Sequence, residues 1–324
     1  MIARRGCILA ALAALALAVA AWMALGGWFA SGPLAKDTPF IVPDGAGLTT
    51  VADKLEKEGA ITSAASFRIR ARLLGGGGGI KAGEFMLPKG ASESQILSII
   101  ESSAFLRRFV AVPEGMPSIM VHERLMAQPL LTGEAPVPAE GSILPESYDF
   151  ARGESRAAVI QRMQAAMSRT VKELWAARAK DIAVKTPEEA VILASIVEKE
   201  TGKPSERRMV AGLYSNRLKT GMMLQADPTI IYPITKGKPL GRRILQSEIR
   251  AVNGYNTYTM VGLPRGPITN PGKESIAAVL NPAKTDALYM VADGTGGHVF
   301  AATLAEHNRN VEKWFALRRA RGEM

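Results

Sequence analysis

Residues 186–201 read TPEEAVILASIVEKET, the pattern of a capped helix that is apolar on nearly every side. Thr186, Pro187 and Glu189 stand as N-cap, first-turn proline and N3 acceptor of a capping box. From Ala190 to Val197 only Ser195 interrupts the apolar residues, and Gly202 and Pro204 stop the helix. Such a helix belongs in the middle of a domain.

Two carboxylates sit in its last turn, Glu198 and Glu200. At about 100° per residue with Ile196 at zero, Glu200 falls at about +40°, inside the most apolar sector, and Glu198 at about 200°, beside Val191. Burial disfavours the charged carboxylate, and the negative end of a helix acts in the same direction. A general acid working near neutrality needs that shift. Two readings fit Glu200: a catalytic acid, or a residue that turns outward or pairs with Arg207 or Arg208.

Composition narrows the function classes. The chain has 324 residues, 47% of them hydrophobic, one cysteine and three histidines. That excludes general disorder, a disulfide framework and a cysteine-based zinc site. His122, His298 and His307 lack HExxH spacing, so no metal or other cofactor is expected. Forty basic against thirty acidic residues give a net charge of +10. No zinc finger or interleaved basic and aromatic patch marks a nucleic-acid reader, so the charge suits anionic lipid or an anionic polymer.

Before the first charged segment of the body, Cys7–Ala30 forms 24 uncharged residues, enough to cross a bilayer as a helix. Arg4 and Arg5 ahead of it favour a cytoplasmic N-terminus, and Trp22 and Trp28 suit an aromatic belt at its far end. An uncleaved anchor is the expectation, with a cleaved signal peptide as its competitor. Residues 31–36 read as a short linker. A repeat follows: Pro43-x-Gly45 precedes Val51 and Leu55, Pro88-x-Gly90 precedes Ile96 and Ile100, and Pro113-x-Gly115 precedes Val121 and Leu125. Each copy reads as strand, turn and amphipathic helix. The unit is either a LysM-like binding module or a common strand-to-helix connector. Gly75–Gly79 reads as a flexible loop.

Residues 129–142, rich in Pro, Gly and Glu, read as a joint. Helices are expected over Arg156–Ala179, Glu206–Leu218, Lys273–Leu280 and Leu304–Arg321. A hairpin is expected from strands Leu288–Ala292 and His298–Thr303. Between Leu224 and Pro271 the chain turns polar and turn-rich, as ligand-binding loops do. Gln225, Asp227, Tyr255, Asn256, Tyr258 and Asn270 supply amides, hydroxyls and aromatic faces suited to a sugar. Asp227 reads as a second catalytic carboxylate or as an Asx-turn in Asp-Pro-Thr. His298 reads as a ligand contact or as a structural strand residue, and His307 as a contact at a helix start. Assistance from Glu206 or Glu248 stays open.

Several blocks resemble the MltG-type (YceG-like) endolytic murein transglycosylases: ILASIVEKET (192–201), NRLKTGMMLQADPTIIY (216–232), YNTYTMVGLPRGPITNPG (255–272) and LYMVADGTGGHVFAATLAEHN (288–308). EGSILPESYDF (140–150) is similar to a further block, with Ser142 and Ser147 where that family more often has Tyr and Thr. The resemblance implies a lyase that cuts the MurNAc–GlcNAc β-1,4 bond of peptidoglycan without water, leaving 1,6-anhydro ends. In the Glu-Lys-Glu-Thr motif it assigns the catalytic acid to the second glutamate, here Glu200. The substrate's own N-acetyl group would replace a second carboxylate. A non-catalytic wall-binding scaffold and a muramidase using Asp227 are the competing readings.

Taken together, an α+β fold is expected: cytoplasmic tip, transmembrane helix and linker (1–36), a LysM-like subdomain (37–140), and a mainly helical catalytic domain with a β-hairpin and long loops (141–324). The body would lie outside the cytoplasm on the inner membrane. Its partners would be glycan strands and the membrane, with a peptidoglycan synthase left open.

Overall fold

The computed structural model describes residues 12, 14, 15, 19 and 26–323. Most of the expected membrane-spanning segment, Trp22 included, lies outside the described residues, and among those described no helix is long and apolar enough to cross a membrane. The architecture is mixed α and β, in two units: residues 1–108 with 151–153, and residues 109–150 with 154–324.

The first unit pairs β1 (Thr38–Val42) antiparallel with β2 (Gly83–Leu87), Thr38 opposite Leu87 and Val42 opposite Gly83. Between them run α1 (Leu48–Lys57) and α2 (Ala64–Leu74), and α3 (Glu93–Glu101) follows. Phe40, Leu55, Phe67, Phe85, Leu87, Ile96 and Ile100 fill the core. Trp28, expected in a membrane belt, is 3% exposed and packs against Phe67 at 6.2 Å between ring centroids. Residues 31–36 differ from the expected linker. Gly32 N donates to Gly90 O at 3.1 Å, Gly90 N donates to Leu34 O at 2.9 Å, and Leu34 is buried. Bonding both ways between the segments fixes it to the β2–α3 turn.

Glu84, 4% exposed, is held bidentate by Arg108 (2.6 and 2.9 Å) and by Arg152 Nε (3.1 Å). The Arg108 hydrogen bond leads in holding its pKa down against burial.

The Pro-x-Gly repeat has one geometry throughout. Ala46 N donates to Pro43 O, Ala91 N to Pro88 O and Met116 N to Pro113 O, at 3.2, 3.0 and 3.2 Å. Gly45, Gly90 and Gly115 have φ of +70°, +67° and +71°, which a β-carbon would strain. The apolar pairs that follow, Val51 and Leu55, Ile96 and Ile100, Val121 and Leu125, are all buried. The third copy feeds α4 (Ser118–Met126) and belongs to the second unit.

The second unit holds most of the two-stranded sheet of β3 (Arg107–Ala111) and β4 (Ser147–Ala151). Its centre is α6 (Pro187–Glu200), which touches α5 (Arg156–Ala176), α7 (Arg207–Lys219), α8 (Asp227–Thr235) and α10 (Lys273–Leu280). Ala190, Leu193, Ala194, Ile196 and Val197 are wholly buried. Thr186 caps α6 by accepting from Glu189 N at 3.2 Å, while the Glu189 carboxylate reaches Lys185 N instead of Thr186 N. The segment expected as loop contains two helices, α8 and the single turn α9 (Gln246–Ile249). Pro228 in the first turn of α8 is compatible with helix, and Lys236, left-handed at φ +56°, ends it. The hairpin forms as expected, β5 (Tyr289–Ala292) against β6 (His298–Ala301), and α11 (Leu304–Ala320) packs on it.

Candidate active site

The last turn of α6 brings out both carboxylates, and both are shielded from water. The Glu198 side chain is 6% exposed; its Oε2 accepts from Gly272 N at 2.9 Å, with Arg207 3.9 Å from Oε1. Neighbours along α6 did not reveal this burial, because the groups against Glu198, Gly272 N and Arg207, come from elsewhere in the chain. Glu200 has no such partners. Its Oε1 is buried with no hydrogen-bond partner. Arg207 pairs instead with Glu114 at 2.7 Å and Arg208 with Asn281, which removes the expected structural pairings of Glu200. Burial, with the charge of Asp227 adding to it, pushes the Glu200 pKa up to about 7, while Tyr214 and Arg217 oppose the rise. The two carboxylates therefore differ in their partners more than in their burial.

Glu200 opens into a polar cleft of about 250 Å³ lined also by Tyr214, Arg217, Gln225, Asp227, Tyr258 and His298, with Met290–Ala292 of β5 along one side. Asp227 is the first residue of α8, not an Asx-turn residue. Its Oδ1 accepts from Tyr258 Oη at 2.6 Å. A buried threonine pair holds the two segments in register: Thr229 and Thr257 hydroxyls are 2.9 Å apart, Ala226 N donates to Thr257 Oγ1, and Thr257 N to Thr229 Oγ1. Next to this clasp Gln225 adopts φ +52° and donates its N–H to Thr257 O at 3.1 Å. A left-handed non-glycine residue in a cleft is backbone strain of the kind found at functional sites.

His298 also lines the cleft. Its Nδ1 lies 2.8 Å from Glu206 Oε2 and its backbone N donates to Glu206 Oε1 at 3.0 Å. Burial alone would raise the Glu206 pKa; the contacts with His298, helped by the Thr201 hydroxyl, outweigh it and hold the carboxylate ionised. A carboxylate on Nδ1 leaves Nε2 as the nitrogen available to a ligand. Arg217 is 8% exposed and donates to Leu288 O at 2.7 Å and Leu224 O at 2.6 Å, tying β5 and the start of the α8 segment to α7.

Of the residues expected at a sugar site, Gln225, Asp227, Tyr258 and His298 share the cleft with Glu200. Asn256 and Asn270 are 0% exposed. Asn256 Nδ2 donates to the carbonyls of Ile249 and Ala251 at 2.9 and 2.8 Å, and its Oδ1 accepts from Tyr258 N. Asn270 accepts from Ile143 N and donates to Met116 O, at 3.0 and 2.9 Å. With their amides engaged this way they hold loops, and no polar atom is left for a ligand. Tyr255 is elsewhere, against Tyr232 at 4.8 Å with Arg265 over its ring at 4.7 Å. Glu248 is bound by Arg242 on the surface. His307, on α11, stacks on Tyr289 at 5.3 Å.

Sequence reasoning missed Tyr214 and Arg217 and left Glu206 open. Tyr214 had the spacing of a packing residue, and Arg217 follows it by three on the same helix; that polar i, i+3 pair on a buried face was the available signal. Among the described residues no group of His, Cys, Asp and Glu is placed to hold a metal ion. What the cleft offers is a carboxyl poised between its two protonation states, a nearby carboxylate, hydroxyls and an imidazole. That set suits proton transfer on a hydroxyl-rich ligand.

The YceG-like family model matches residues 40–313. An endolytic murein transglycosylase of Bacillus subtilis (strain 168) is 28% identical over 333 residues, covering 90% of this chain and 91% of that protein. Another, from Streptococcus pneumoniae serotype 2 (strain D39 / NCTC 7466), is 36% identical over 179 residues, 53% of this chain but 31% of that protein. In fold, the chain is similar to the crystal structure of a putative YceG-like protein from Listeria monocytogenes. The TM-score is 0.53 at 24% identity, over 85% of this chain and 98% of that one. A family match running through both units and across every block of the cleft decides the matter: the chain belongs to the YceG-like family.

Proposed function

We propose that the chain is a peptidoglycan lytic transglycosylase, a lyase that cuts the MurNAc–GlcNAc β-1,4 bond within glycan strands and leaves 1,6-anhydro-MurNAc ends. The observation that carries this reading is Glu200, a buried carboxyl with an unpartnered oxygen and a pKa near 7, open to a polar cleft. Protonated, it donates to the leaving glycosidic oxygen as the C1–O4 bond breaks. Ionised, it takes the proton from the muramyl 6-hydroxyl as that oxygen bonds to C1. One carboxylate completes the cycle, with the substrate's N-acetyl group stabilising the intermediate. Gln225, Asp227, Tyr258 and His298 bind the sugars around the bond.

The family and the relatives named endolytic murein transglycosylases support this chemistry. A membrane anchor in the uncharged segment that begins at Cys7, ahead of the packed residues from Gly26 on, places the enzyme on the outer side of the inner membrane, where it terminates nascent strands beside a synthase. The Pro-x-Gly units of residues 37–140 form a LysM-like wall-binding part, and residues 141–324 the catalytic part.

Asp227 favours a second reading, because its carboxylate shares the cleft and its charge acts on Glu200. A muramidase would use it to activate water. Digestion of purified glycan strands separates the readings by mass spectrometry of the ends. Anhydromuramyl ends are expected; reducing ends would make the chain a muramidase, and no cleavage would make it a scaffold.

A further inference from the structure

In the first unit α2 (AASFRIRARLL) is apolar on two opposite faces. Ala64, Phe67 and Ala71 face the core, while Ile69 and Leu73 point away from it, 61% and 76% exposed. Leu74 adds a further 42% at the end of the helix. At about 100° per residue, Ala65, Ile69 and Leu73 form one outward stripe, with Arg68 and Arg72 along one edge. Arg68 pairs with Asp53 at 3.2 Å; Arg72 is exposed and has no ion-pair partner among the described residues. Exposed leucine and isoleucine in a row, edged by guanidinium groups, are costly in water and mark a contact surface.

The position of α2 says which surface. Phe67 packs on Trp28, and the Arg70 guanidinium lies so close to Gly27 that a β-carbon there would be 2.2 Å from Nη2. Residues 26–30 end the uncharged segment, and Phe29 among them is 66% exposed. Residues 26–30 thus lie against one face of α2, and its outward stripe is about one helix diameter, ~10 Å, away from them. The headgroup layer is about 5–8 Å deep on each side. Exposed apolar side chains so close to that layer reach it, and arginines at their edge match anionic headgroups.

We infer that α2 docks on the surface of an anionic bilayer, Ile69 and Leu73 entering the headgroup region and Arg72 pairing with lipid phosphate. This holds the first unit down on the membrane in addition to tethering it. The inference rests on the anchored reading of the uncharged segment that begins at Cys7 and leaves the chemistry of Glu200 untouched.

The test uses the full chain with Cys7→Ala and one thiol-linked, environment-sensitive fluorophore, on Leu73→Cys or, as a control on α1, on Glu56→Cys. Each is reconstituted into vesicles of phosphatidylethanolamine and phosphatidylglycerol. The probe at 73 is expected to emit to the blue of the probe at 56, to be quenched by headgroup-proximal nitroxide lipid, and to resist aqueous iodide several-fold better. Arg72→Glu should bring it toward the control. Equal iodide quenching at 73 and 56 overturns the inference. So does protection that follows protein density and ignores the nitroxide lipid, which would mean a second copy or another protein on this face. Flotation is read first: a chain that does not float with the vesicles refutes the anchor and the docking together, whereas a floating chain with an aqueous probe refutes the docking alone.

Discussion

At Glu200, Glu200→Gln keeps the shape of the side chain and removes its proton chemistry, so strand cleavage should fall by roughly 10³-fold or more with the fold intact. Glu198→Gln is the informative contrast. Its carboxylate holds Gly272 N and sits beside Arg207, so that variant should lose stability and keep much of its turnover once folded. An inactive Glu198→Gln beside an active Glu200→Gln, in the same mass-spectrometric assay, would reverse the assignment. The pH dependence follows from the same group. Its folded pKa of about 7 lies above the ordinary 4.5, so the acid form is lost, and the rate should fall, as pH rises through about 7. Stability moves the same way: the folded state retains a proton that the unfolded state releases, so stability declines between about 4.5 and 7. Glu200→Gln should therefore be more stable than the parent at pH 8, by on the order of 3 kcal/mol, with the gap closing below pH 4.5. Thermal melts at the two pH values check the sign.

At the scale of elements, what could be read from sequence was what short-range patterns encode. The cap and length of α6, the three Pro-x-Gly turns and the hairpin each carry their determinants within a few residues. The loop before Pro271 hid α8, because Asp-Pro and a second proline at Pro233 look like turn residues although Pro228 in a first helical turn is compatible with helix. The roles of the asparagines were equally hidden: an amide suited to a sugar is equally suited to a backbone, and only the fold shows that Ile143 N and Met116 O come to Asn270. Asn270→Ala leaves these buried groups unpaired and should cost about 2–4 kcal/mol. It should lower the melting temperature, while KM for glycan strands in the folded fraction stays at the parental value. A raised KM without loss of stability would return Asn270 to the ligand.

For the whole molecule, the anchored reading proposed above makes the length of tether between membrane and cleft the quantity that would set which part of a strand is cut. The 31–36 segment does not serve as that tether, since Gly32 and Leu34 are bonded to Gly90 and a β-carbon on Gly32 would lie 2.2 Å from Ala91 O. A flexible insertion at Gly32–Pro33 should therefore unfold part of the first unit and lower its melting temperature. With Trp28 already in the core, a spacer that frees the body without breaking it has to enter ahead of Gly26. Twenty Gly/Ser residues there add about 25 Å of root-mean-square reach, so the cleft would act on glycan farther from the bilayer. Strands released in cells carrying that variant should be longer than those of the parent, measured by chromatography of peptide-free glycan at matched enzyme levels. Unchanged strand lengths would separate the site of cutting from the anchor, and the terminator role would have to be set by a partner.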